Sequence, residues 1–162
     1  MRLFHGSTEI VQFPTILDTQ CLLDFGKGFY TTTNKDQAEK WALIKRNRLS
    51  IDVKSYVSEY ELDDCFLQDG RYKVIVFNLA NEEWLDFVVN KRKEDKCHFF
   101  DIVMGAVAND TLYKTLSLFE TGILSKQETI IRLKVHTLYD QLSFHNIGIM
   151  NEIKFINSYE II

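Results

Sequence analysis

Three stretches of this 162-residue chain carry residue types that can do chemistry. His5-Gly6-Ser7 stands near the start, Phe25-Gly26-Lys27-Gly28-Phe29-Tyr30-Thr31-Thr32 follows, and Asp140-Gln141-Leu142-Ser143-Phe144-His145 lies near the end. A neutral imidazole offers one donor and one acceptor nitrogen. A glycine beside it leaves its backbone N–H and C=O open to a ligand, because no Cβ stands in the way. A tyrosine behind a glycine turn offers a flat face to a ring. Period two puts Tyr139, Gln141, Ser143 and His145 on one strand face and Leu138, Asp140, Leu142 and Phe144 on the other. Gln141 is thereby expected to face a cleft.

Each residue also has a plain structural reading. His5 by itself is most simply a satisfied, partly buried histidine, and Gly26 and Gly28 are turn glycines with positive φ. Trp41, on the apolar stripe of a helix, reads equally well as core. Asp101 reads first as a strand-end or turn residue. The conjunction of His5-Gly6-Ser7 with the later glycine turn, in that order and each on an expected strand, tips the balance toward a site.

The elements that must position these residues are legible from patterning. Short strands are expected at residues 2–5 and 28–32. Asn34 and Gln37 have capping-box spacing ahead of a helix on which Ala38, Trp41, Ala42 and Lys45 recur at helical intervals. Strands follow at 53–62 and 73–77, and Asn81 caps a helix that carries Trp84, Leu85, Val88 and Val89 on one face. Asp110 and Ser125-Lys126-Gln127-Glu128 open two further helices, the first ended by Gly122. Strand patterns return at about 139–145 and 152–161. The order predicts a single α+β domain over residues 1–162, without a regular strand–helix alternation. The mixed-sign run Lys91-Arg92-Lys93-Glu94-Asp95-Lys96 reads as a solvated loop.

His5-Gly6-Ser7 resembles the histidine-glycine-serine or -threonine signature of the diphtheria-toxin-like and poly(ADP-ribose)-polymerase-like branch of the ADP-ribosyltransferase superfamily. Gly26-Lys27-Gly28-Phe29-Tyr30 resembles the glycine turn and tyrosine that this branch sets under nicotinamide. Asp24–Thr32 with Gln37-Ala38-Glu39-Lys40-Trp41-Ala42, Phe100–Asp110 and Asp140–His145 also resemble a narrower bacterial family of formerly unknown function. Members of that family often serve as the toxin of a toxin–antitoxin pair. On this match the likeness covers nearly the whole chain.

The resemblance implies a split mixed β-sheet core with flanking helices, and an NAD-dependent mono-ADP-ribosyltransferase that cleaves the nicotinamide–ribose bond. The implied catalytic residues are His5, Tyr30 and Gln141. The implied NAD-binding residues are His5, Gly6, Ser7, Gly28, Tyr30, Thr31 and Trp41, with NAD as co-substrate. His5 would bond a ribose hydroxyl, Gly6 the carboxamide, and Tyr30 and Trp41 would flank the nicotinamide ring. Ala38 replaces the serine that bonds the carboxamide in the polymerase-like branch. Gln141 stands where most of the superfamily has a glutamate; it keeps a hydrogen bond but lacks the charge that favours a cationic sugar. Asp101 is the best candidate for a substitute carboxylate. A catalytically weak or inactive NAD or ADP-ribose binding module is the alternative. The resemblance further implies an antitoxin protein as partner, and an acceptor that is protein or nucleic acid.

Composition narrows the remaining classes. A net charge of -4 argues against a broad basic surface for nucleic acid. Cys21, Cys65 and Cys97 are too widely spaced for a disulfide framework or a paired zinc motif, which leaves cytoplasmic residence as the expectation. His98, His136 and His145 lack metal-ligand spacing, so no metal is expected. No apolar run approaches the roughly 20 residues of a membrane span.

Overall fold

The computed structural model describes residues 1–17, 23–49, 52–68, 70–93, 99–106, 110–134 and 140–162. The expectations for Cys21, Cys97, His98, His136, Leu138 and Tyr139 lie outside these residues. Among the described residues the chain is mixed α+β, with two sheets and four α-helices. Its strands are β1 (Arg2–Ser7), β2 (Phe29–Thr31), β3 (Ser55–Glu61), β4 (Val74–Val76), β5 (Ile102–Ala106), β6 (Asp140–Phe144) and β7 (Lys154–Ile161). Its helices are α1 (Lys35–Arg48), α2 (Glu82–Lys93), α3 (Asp110–Glu120) and α4 (Lys126–Lys134).

The first sheet runs β1-β3-β7, with antiparallel pairing throughout. The second runs β2-β6-β5-β4 and is mixed, because β4 and β5 pair in parallel. Among the described residues a single antiparallel bridge joins the two, Phe4 to Thr32, with backbone bonds of 2.8 and 3.0 Å. One core lies between the sheets, where Leu3, Tyr60 and Leu62 meet Phe29, Ile102, Leu142 and Phe144. A short 3-10 helix, Ile147–Asn151, closes that core with Ile149 and Met150. The second core sits on the other face of the second sheet, where Val103 and Phe25 meet Trp84, Leu85 and Val88 of α2, Leu116 of α3 and Leu133 of α4. The fully buried Trp84 ring satisfies its one donor by bonding the Ala106 carbonyl at 3.1 Å.

Local chemistry explains most element ends. Asn34 caps α1 by accepting from the Gln37 N–H at 2.9 Å, while the Gln37 side chain does not complete the reciprocal arm: its Oε1 is buried without a partner. The Ser125–Glu128 box closes in both directions, at 2.8 and 3.3 Å. Gly122, at φ 77°, ends the α3 turn as the sequence predicts.

One strand escapes the sequence reading and one expectation needs correction. The Ile102–Ala106 strand shows no alternation because both of its faces are covered, and period-two reasoning passes over it. The mixed-charge run is not a solvated loop at its start: α2 continues through Lys93, and the Arg92 side chain is only 12% exposed. Arg92 lies 3.9 Å from Asp24 and 3.6 Å from Glu120, with its guanidinium over the Tyr113 ring. The helix turns this residue inward, where an aromatic face and two carboxylates replace water.

Candidate functional site

The site is built where the two sheets part. β1 and β2 bond through Phe4 and Thr32, and continuing that register would set Gly6 across from Tyr30. Residues alternate the direction of their backbone groups along a strand, so Gly6, like Phe4, turns its N–H and C=O away from β3. Tyr30, like Thr32, turns its own toward β1. The expected pair of bonds is not made. The Gly6 carbonyl accepts instead from the Lys45 ammonium at 2.7 Å, and the Tyr30 carbonyl from His5 Nδ1 at 2.6 Å. Among the described residues neither the Gly6 nor the Tyr30 N–H has a backbone partner outside the strand ladders. Buried backbone donors left without one are rare, and Gly6 is buried.

Close packing holds this opening in shape. A Cβ on Gly6 would stand 2.0 Å from the Ala38 carbonyl oxygen and 2.8 Å from the Ala42 nitrogen, so α1 rests on bare β1 backbone. Gly6 and Ala38 are therefore tied by packing, whatever else Gly6 does. On Gly28 a Cβ would meet His145 Nδ1 and the Phe144 carbonyl oxygen, each at 2.8 Å. Gly26 takes φ 86° in the preceding turn.

His5 lies on the inter-sheet face, stacked on Phe29 at 4.7 Å between ring centres. Part of the residue reaches the surface, yet its ring is desolvated. Burial, helped by the nearby Lys45 charge and opposed by the Tyr30 hydrogen bond, pushes its pKa down to about 3. The imidazole is neutral near pH 7, with Nδ1–H donated to Tyr30 and Nε2 left as an acceptor. Burial likewise lowers the Lys45 ammonium to about 8, against the pull of Glu9.

Tyr30 lies on the other face of β2, packed against Phe25 and with His145 at its edge. Its hydroxyl donates to the Gly26 carbonyl at 2.5 Å and accepts from the Phe25 N–H at 3.1 Å, closing its own glycine turn. Burial, reinforced by Asp24, pushes this phenol well above its ordinary range, so it stays neutral. Ser143 pairs with Tyr30 across the strands and donates to the Val103 carbonyl at 3.3 Å. Gln141, two residues earlier, falls on the same face as Tyr30; it is 7% exposed, and its Nε2 is buried without a partner. Such a group normally costs stability, so its amide is an orphaned donor on this face.

The other residues expected at the site divide. Ser7 is buried at the end of β1, and Thr31 is buried with its hydroxyl on the Leu142 carbonyl, a bond between strands. Trp41 is half-buried on α1 with Arg48 over its ring, and it belongs to neither buried core cluster. The ring neighbours of Tyr30 are Phe25 and His145, not Trp41. Asp101 keeps the turn role: its carboxylate accepts from the Lys73 N–H and from Asn146 Nδ2, both at 2.8 Å. It sits by His145, at the opposite end of β6 from Gln141. Asp140 instead pins the β2–α1 junction through the Thr33 N–H and hydroxyl.

Lys45 is the residue that sequence reasoning missed. It was legible only as one more position on the α1 stripe, two helical turns after Ala38, and nothing in its neighbours marks a reach back to β1. A separate cavity of about 680 Å³ opens beyond β4 and β5, bordered by Asn78, Leu79, Ala106 and Asp140. It borders neither His5, Gly6 nor Tyr30. Among the described residues no cluster of metal-ligating side chains occurs, and no helix is long and apolar enough to cross a membrane.

No curated protein and no solved structure matches the chain. One family model does, over residues 1–155, and that span takes in every residue of the opening as well as Gln141. The chain belongs to the family described as Protein of unknown function (DUF3990).

Proposed function

We propose that the chain is an NAD-dependent mono-ADP-ribosyltransferase whose nicotinamide end is held at the opening between β1 and β2. The observation that carries this reading is the interrupted Gly6–Tyr30 pairing, which leaves two backbone N–H groups aimed at one gap. A ring bearing a carbonyl-type acceptor oxygen supplies what those donors lack. The neutral His5 offers Nε2 to a ribose hydroxyl, and its stacking on Phe29 fixes the ring plane. Tyr30 contributes through its face and through the glycine turn that its hydroxyl holds closed.

Gln141 is the residue suited to orient the reacting ribose. Its unpartnered Nε2 is a donor waiting for a ligand oxygen, and it is neutral, so it positions the sugar without stabilising a cation as a carboxylate would. Asp101 is not available for that second task, because both of its oxygens are engaged in the turn. The neutral Gln141 also favours a second reading, a module that binds NAD or ADP-ribose with little or no turnover. The roles of toxin and of antitoxin-bound partner rest on the resemblance alone. Incubation with NAD and measurement of released nicotinamide, with and without cell lysate as acceptor, tests the first reading. Release that Gln141→Ala abolishes supports it; NAD binding without release supports the binding module; no NAD binding removes both.

A further inference from the structure

The hydrogen-bonding character of the opening is unbalanced, and Lys45 is the cause. In an uninterrupted ladder Gly6 and Tyr30 would exchange two bonds, with donors and acceptors equal. Here both carbonyls accept from side chains, one from Lys45 and one from His5, while neither N–H has a backbone partner outside the strand ladders among the described residues. The Lys45 ammonium adds further N–H donors beside the Gly6 edge, since one carbonyl uses only one of its three. Among the described residues no carboxylate lies within ion-pair distance of it; Glu9 acts on it only at longer range. The groups facing the gap are thus backbone N–H donors and a cation, with the His5 ring neutral at its side.

A primary carboxamide matches only half of such a gap. Its oxygen is welcome, but its NH₂ meets donors, or must displace Lys45 from the Gly6 carbonyl. A carboxylate brings two acceptor oxygens and no donor, and a bond between ions is roughly twice as strong as its neutral counterpart. We propose that Lys45 makes the opening a reader of carboxylate oxygens, so that the ring it holds is bound best as a pyridine-3-carboxylate and the deamidated dinucleotide is preferred to NAD. This rests on the reading of the opening as the pyridine end of a dinucleotide site.

The test is calorimetric titration of the whole chain with nicotinate and with nicotinamide at pH 7, for the native protein, Lys45→Met and Lys45→Arg. The native chain should bind nicotinate about tenfold more tightly, the factor expected when a charge-assisted bond replaces a neutral one. Lys45→Met should erase or invert that preference, and Lys45→Arg should keep it. Equal or tighter binding of nicotinamide by the native chain overturns the proposal, as does a preference that survives in Lys45→Met. If Lys45→Met does not fold, the two ligands on the native and Lys45→Arg chains still decide the matter. Binding of neither ligand to the native chain, with NAD also failing to bind, overturns the dinucleotide reading itself, and the carboxylate preference falls with it.

Discussion

Replacing Gly6 by alanine separates the packing role of this residue from its place in the site. The added methyl would sit 2.0 Å from the Ala38 carbonyl oxygen and 2.8 Å from the Ala42 nitrogen, and both neighbours are backbone atoms of α1. No side-chain rotation relieves such a contact, so the helix must lift from β1. Lifting it breaks the 2.7 Å bond from Lys45 to the Gly6 carbonyl and loosens the buried Ala38 and Ala42 contacts. Overpacking against a rigid neighbour costs about 1–3 kcal/mol, and a backbone contact belongs at the upper end. Loss of the hydrogen bond to a charged donor adds about 1–2 kcal/mol. The expected sum is about 3–5 kcal/mol, which for a chain of this size lowers Tm by roughly 6–20 °C. Thermal unfolding followed by circular dichroism measures it. A Gly6→Ala chain that melts within 2–3 °C of the native protein would refute the argument that α1 rests on bare Gly6 backbone.

Other substitutions probe the remaining groups. Gln141→Met removes a buried, unpartnered amide and should raise stability by about 1 kcal/mol in urea unfolding, while any nicotinamide release falls below detection; a stability loss would show that the amide has a partner. Gln141→Glu should increase NAD hydrolysis if this strand faces the reacting sugar, because it introduces negative charge there; unchanged hydrolysis removes Gln141 from the reacting centre. Tyr30→Phe takes away the hydroxyl that bridges the Phe25 N–H and Gly26 carbonyl, and should cost about 1–2 kcal/mol while leaving the ring face intact. For His5, the folded pKa of about 3 lies below the unfolded value near 6.5, so the unfolded chain binds the extra proton between them. Stability should therefore be complete above pH 6.5 and decline as the pH falls toward 3, by at most about 1.4 kcal/mol per unit. His5→Gln should flatten that decline, and urea titrations at pH 7, 6 and 5 that show equal slopes for both chains would contradict it.

Much of the local order was legible because it depends on near neighbours in the sequence. The α1 start follows from Asn34, the α4 start from Ser125 with Glu128, and the α3 end from Gly122, each through bonds spanning a few residues. The inward row of α2 follows from the spacing of Trp84, Leu85 and Val88. Alternation on β6 correctly put Gln141 and Ser143 on one face, since period two is a property of any strand. β5 escaped because a strand covered on both faces has no alternation to read. Arg92 escaped because charge alone does not reveal whether a helix face meets water or a Tyr113 ring.

The types of residue at the site, a histidine and glycine on β1, a tyrosine after a glycine turn and a glutamine near the end, are determined by sequence alone. What the tertiary structure decides is which of their groups are free. Asp101 and Asp140 are both carboxylates on paper, and folding commits each to backbone donors of a neighbouring segment. Gly6 and Tyr30 are ordinary strand residues until the sheets diverge just past the Phe4–Thr32 bridge and deny them each other. Lys45 becomes part of the opening only because α1 packs so closely on Gly6 that its side chain reaches the Gly6 carbonyl across 39 positions of sequence. A hydrogen bond satisfied at that separation is set by how two elements pack, and no local pattern encodes it.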